Sequence, residues 1–92
     1  MDNMNFGQAI EALKVGKRVA RTGWNGKGMF LYLVEGSEVT QARCNAMDEM
    51  IAKEGKAVIK PHIDMKTADG TFAIGWKPTS IDMFEEDWVI VE

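Results

Sequence analysis

The chain has 92 residues, 46% of them apolar, and a formal net charge of −3. That length allows one domain with a small core, and the acidic balance argues against a general nucleic-acid surface. No apolar run is long enough to span a membrane, and a single cysteine, Cys44, excludes an internal disulfide. The first residues lack a basic stretch followed by an apolar one, so a reducing, cytosolic setting is expected.

Asn5 precedes Phe6, Ala9, Ile10 and Leu13, which share one helical face. Asn5 can cap this helix, Gln8 can reach back to the cap, and Gly16 can end it, which predicts a helix over residues 6–15. Residues 17–21, around Val19, predict a short strand. Residues 29–34 predict a central strand that is apolar on both alternating faces. A strand with one wet face would alternate with polar residues, so the second face should meet a helix or another subunit. Glu35-Gly36-Ser37 predicts a turn.

The stretch 41–54 is ambiguous. Ala46, Met47, Met50 and Ile51 have helical spacing and Gly55 could terminate them, and the methionines fit either a core filler or a contact surface. Residues 57–60 predict a strand ended by Pro61. Ile63, Met65 and Thr67 alternate with Asp64, Lys66 and Ala68, Asp69-Gly70 signals a hairpin, and residues 71–74 return as its partner. Pro78-Thr79-Ser80 opens a short helix capped by Thr79 or Ser80, with Asp82 in its first turn. Residues 88–91 predict the last strand. The expected architecture is α+β: a small antiparallel β-sheet with an N-terminal helix and one or two short additional helices. No repeat or linker divides residues 1–92, so a single domain is expected.

Gly23-Trp24-Asn25-Gly26-Lys27-Gly28-Met29-Phe30 concentrates positive-φ freedom, a flat aromatic, an amide and a cation in eight residues. It fits a ligand-holding loop or a turn between strands. Lys27 is followed by Gly28 rather than Ser or Thr, which excludes a Walker A loop. Asp64 and Lys66 fall on the same strand face, and Gly75-Trp76 repeats the Gly-Trp theme. Trp24 and Trp76 could clamp a flat ring or pack in the core, and Trp88 suits the core. Lys14, Lys17, Arg18, Arg21 and Lys27 form a basic run, and Asp82, Glu85, Glu86, Asp87 and Glu92 an acidic one. These are either two solvated faces that attract each other or a local anion pocket. His62 is the only histidine, more in keeping with a surface or structural role. The usual ligands of a zinc site and the spacing of a Ser-His-Asp triad are both missing. A binding protein is therefore expected rather than an enzyme, with no metal or cofactor.

Four segments together carry a family resemblance: Phe6-Gly7-Gln8-Ala9-Ile10, the loop from Gly23 to Phe30, Pro61-His62-Ile63-Asp64-Met65-Lys66-Thr67-Ala68-Asp69-Gly70-Thr71, and Ser80-Ile81-Asp82-Met83 with Glu86-Asp87-Trp88. In combination they resemble the second Thoeris anti-defence family. Residues 39–58 match nothing in that pattern and are expected to be a variable insertion. The resemblance implies a phage protein in the cytoplasm of an infected bacterium. It would bind the Thoeris signal, glycocyclic ADP-ribose, and hold it intact, and as in some family members it could also bind cyclic dinucleotides of a second defence system, CBASS. It further implies a homotetramer with pockets between protomers. With such a ligand, Trp24 and Trp76 would stack on the base or cover the sugars. Lys27 or Lys66, the loop amides, Gly26 among them, and the helix start at Ser80 would hold phosphate. Asp64, Asp82 or Asn25 would bond ribose hydroxyls, and Phe6, Met65 and Met83 complete the expected site. A protein-interaction or phage structural module is the alternative, and a nucleotide-directed enzyme relying on His62 a third.

Overall fold

The computed structural model describes residues 3–24, 27–42 and 44–92. Helix α1 (Phe6–Lys14) starts where local chemistry puts it. The Asn5 side chain accepts the Gln8 N–H at 2.8 Å, and the Asn5 N–H donates to the Gln8 side chain at 2.9 Å. This reciprocal pair satisfies N–H groups that a helix start otherwise leaves unmade. Ala9, Ala12 and Leu13 form the buried stripe.

Strands β1 (Arg18–Arg21), β2 (Phe30–Val34), β5 (His62–Lys66), β6 (Phe72–Ala73) and β7 (Trp88–Val91) form one antiparallel sheet in the order β6-β5-β2-β1-β7. The predicted central strand β2 is indeed central. Met4 bonds Trp88 through both main-chain groups, at 2.7 and 3.1 Å, and so extends the sheet beyond β7. With β3 (Ser37–Val39), β4 (Ala57–Ile59), α2 (Asn45–Glu54) and α3 (Ser80–Phe84), the architecture is α+β.

The register fixes two faces. Val19 lies opposite Leu31, and both, with Trp88, are wholly buried beneath α1. Leu33, Ile63, Met65 and Ile90 pack around them. By alternation the other face carries Phe30, Tyr32 and Val34, flanked by Arg18, Ala20, Lys66 and Phe72. The described helices lie elsewhere: α1 against β1, β2 and β7, α3 (Ser80–Phe84) against α1, and α2 (Asn45–Glu54) against β4 (Ala57–Ile59). Of the two covers expected for the second face of β2, a helix of the same protomer is not the one found.

The turn expected at 35–37 is corrected. The chain does not reverse there but runs on into β3 (Ser37–Val39), which pairs with β4. Val34 opposite His62 and Ser37 opposite Ile59 keep one register, so β2–β3 and β4–β5 are two halves of a single long hairpin. Gly36 is present for a different reason from the one its turn-like neighbours suggest. A Cβ on it would lie 3.0 Å from the Ile59 carbonyl oxygen and 3.1 Å from Pro61 Cδ, so glycine permits the strands' close approach. Helix α2 closes the hairpin's far end and stops at Gly55, whose φ of 83° suits glycine. It buries no residue fully. The resulting arm gives the molecule extents of 48 × 26 × 25 Å.

Candidate functional site

The loop at 23–30 leaves β1 through a charged junction. Asp87 accepts the Gly23 N–H at 3.0 Å, and the Thr22 N–H donates to the Asp87 carbonyl at 3.0 Å. Trp24 then folds onto the helix-covered side of the sheet. Its ring lies 5.5 Å from Trp88 at 80° and 6.3 Å from Trp76 at 63°, while Trp76 meets Trp88 at 6.2 Å and 82°. These are edge-to-face contacts. Trp24 and Trp76 therefore present no parallel slot to each other; both pack on Trp88, which takes the core role expected of it. Phe6 joins from α1, 5.4 Å from Trp88, and Met65 packs into the same cluster from β5. Three sequence-predicted residues, Phe6, Trp24 and Trp76, thus converge on Trp88 in one partly buried aromatic patch, and a fourth, Met65, packs against the same core.

Asp64 and Lys66 lie on the other face of the sheet, together, as their alternation predicted. Asp64 is buried and accepts the Gly75 N–H at 2.9 Å, with His62 Nε2 3.3 Å away. His62 Nδ1 lies 2.9 Å from the Lys60 carbonyl oxygen. Lys66 donates to the Gly28 carbonyl at 3.0 Å and stands 5.7 Å from the Phe30 ring, which Arg18 also approaches at 4.9 Å. Burial pushes the Tyr32 phenol upward, and the Asp64 charge adds to it. Lys27 is exposed, and Asn25 and Gly26 lie outside the described residues.

Helix α3 is capped by Thr79, whose hydroxyl accepts the Asp82 N–H at 3.1 Å. Asp82 is buried and each of its oxygens has a partner. One accepts the Thr79 N–H and hydroxyl at 2.9 and 3.0 Å, and the other accepts Arg21 at 2.8 Å. Burial opposes the charge on Asp82, but its bonds to Thr79 and Arg21 outweigh it and hold the carboxyl below the ordinary range. Ser80 is exposed and lines a shallow depression with Ile81, Phe84 and Glu85, and Met83 is exposed beside it. Among the described residues no cluster of three or more His, Cys, Asp or Glu side chains could hold a metal.

Sequence reasoning missed Arg21 and Asp87 as individuals. Arg21 reaches Asp87 through Nε at 2.8 Å and a second nitrogen at 3.3 Å, while its remaining arm holds Asp82. Arg21 is held above its already high value, chiefly by Asp87, and Asp87 is lowered, chiefly by Arg21. The signal was present in the basic and acidic runs. Their attraction is realised at this junction as a half-buried bridge.

A family profile described as the Thoeris anti-defense 2-like domain matches residues 4–91. The chain belongs to that family. The bounds of the match take in all four segments that carried the resemblance. Thoeris anti-defense 2 of Bacillus phage SP01 is 40% identical over 88 residues, which covers 96% of this chain and 94% of the relative. No described helix of this Thoeris anti-defense 2-like chain is long and apolar enough to cross a membrane.

Proposed function

We propose that this family member blocks Thoeris defence by binding a cyclic nucleotide signal and holding it intact, in the cytoplasm of an infected bacterium. The Thoeris signal it holds is glycocyclic ADP-ribose, and cyclic dinucleotides of a second defence system, CBASS, are further candidate ligands. The observation that carries this reading is 40% identity with a phage Thoeris anti-defense 2 protein across nearly the whole of both chains. The local chemistry supports it. An aromatic patch of Phe6, Trp24 and Trp76 offers surface for a base or sugar. Lys27, Lys66 and the Ser80 end of α3 offer partners for a diphosphate.

Within one protomer the aromatic patch and the Asp64–Lys66 pair lie on opposite sides of the sheet. A pocket drawing on both needs a second copy of the chain, and the helix-free face with Phe30, Tyr32 and Phe72 offers it a surface. This supports pockets between protomers, in an assembly that we propose is a homotetramer. Titration calorimetry with glycocyclic ADP-ribose and with cyclic dinucleotides, followed by the mass of the released ligand, tests the reading. Binding with recovery of the intact signal is expected. Binding to none of them overturns it, and a cleaved product makes the protein a hydrolase instead. Trp24→Ala is expected to weaken binding by about tenfold or more, as loss of an aromatic anchor does, with the assembly unchanged in light scattering.

One observation favours a second reading, a protein-interaction module: the arm exposes Met50 and Val58. Recovery of a stoichiometric protein partner from infected cells, with no small molecule bound, would select it.

A further inference from the structure

We infer that Arg21 and Asp87 are positioning residues that set Trp24 for ligand binding; the ligand part of this inference rests on the function proposed above. Arg21 is the last residue of β1, and Asp87 stands just before β7. The guanidinium holds both oxygens of Asp87 and one of Asp82, so it joins the strand end to α3 and to the start of β7. One Asp87 oxygen also accepts the Gly23 N–H. A Cβ at position 23 would lie 2.9 Å from that oxygen, so glycine leaves room for the carboxylate to reach the main chain. The Trp24 N–H donates to the Arg21 carbonyl at 3.2 Å. Every link from the charged bridge to the Trp24 backbone is therefore a direct bond or an adjacent residue.

These side chains are only 10 to 22% exposed, and a forked guanidinium–carboxylate pair has a fixed geometry that a lysine lacks. The Asp87 carboxylate also engages a loop amide. Here the amide engaged is that of the residue before Trp24. Fixing that residue in advance removes an ordering cost from ligand binding. Loosening it lowers the fraction of protein ready to bind, and with it the apparent affinity.

The test uses the full chain with Asp87→Asn, which keeps the side chain's shape, and Arg21→Lys, which keeps its charge but loses the fork. Two quantities are read: amide hydrogen exchange at Gly23 and Trp24 without ligand, and affinity for glycocyclic ADP-ribose at a temperature where each variant is folded. In Asp87→Asn, exchange at Gly23 and Trp24 is expected to rise about tenfold or more while Leu31 in β2 stays protected, as local opening requires. Affinity is expected to fall about tenfold, mostly as slower association. Arg21→Lys should show both effects in smaller measure, and it serves alone if Asp87→Asn does not fold. Unchanged exchange at Gly23 and Trp24 overturns the inference, as does loosened exchange with unchanged affinity. If the unaltered protein binds no cyclic nucleotide, the proposed function fails, and exchange alone then decides whether Arg21 and Asp87 fix Trp24.

Discussion

Trp88 shows how much one side chain connects. It is wholly buried, its ring receives Phe6, Trp24 and Trp76, and its Nε1 donates to the Asp82 carbonyl at 3.0 Å. Trp88→Phe keeps an aromatic core but strips that carbonyl of its partner, and is expected to lower unfolding free energy by about 1–3 kcal/mol in urea titration. The Asp87 carboxyl has its own signature in pH. Its value is lowered in the folded state, so its contribution to stability is full above about 4, the ordinary carboxylate value. That contribution is lost as pH falls through the lowered value. Asp69, lowered to about 2 chiefly by the Thr67 hydroxyl, follows the same sign in the β5–β6 turn. Thermal midpoints measured from pH 6 downward should decline only below about 4, and Asp87→Asn should flatten part of that decline.

At the scale of elements, what could be read from the sequence was what sequence neighbours decide. The Asn5–Gln8 box, Thr79 at the start of α3, Gly55 after α2 and Asp69-Gly70 before β6 each act over a few residues, and each stands where its chemistry indicated. Asn5→Ala is accordingly expected to cost about 1 kcal/mol, the usual worth of such a cap, measured by thermal unfolding. Gly36 was legible only as a glycine, because the constraint on it comes from Ile59 and Pro61 across the hairpin. Gly36→Ala should loosen β3, β4 and α2, seen as faster amide exchange there with α1 unaffected. The candidate site was half legible in the same sense. Alternation put Asp64 with Lys66 and apart from Met65. The meeting of Trp24 with Trp76 and Trp88, and the Arg21–Asp87 bridge between residues 66 apart in sequence, depend on strand order that no local signal encodes.

Over the whole molecule, the feature that most calls for a partner is the side of the five-stranded sheet that no described helix covers. Phe72 is 57% exposed and lies 6.1 Å from Tyr32, which in turn lies 6.1 Å from Phe30. In the assembly proposed above, this aromatic row is the surface that a second copy would cover. Phe72→Asp leaves the helix-covered core untouched and is expected to shift the assembly toward smaller species in light scattering. An unchanged mass would place the contact elsewhere.

The unbroken register of the long hairpin also restricts how its length can vary. Removing one residue from β3 alone would turn every later side chain of that strand to the opposite side, placing Val39 on the exposed side with Val58 and Glu38 on the side of buried Ala57. Only changes matched on both strands, two residues at a time on each, preserve which side α2 covers. The arm is therefore quantised: it can grow or shrink in steps of a full pleat, and relatives with longer or shorter arms should differ by such steps or else move the difference into the connection around α2.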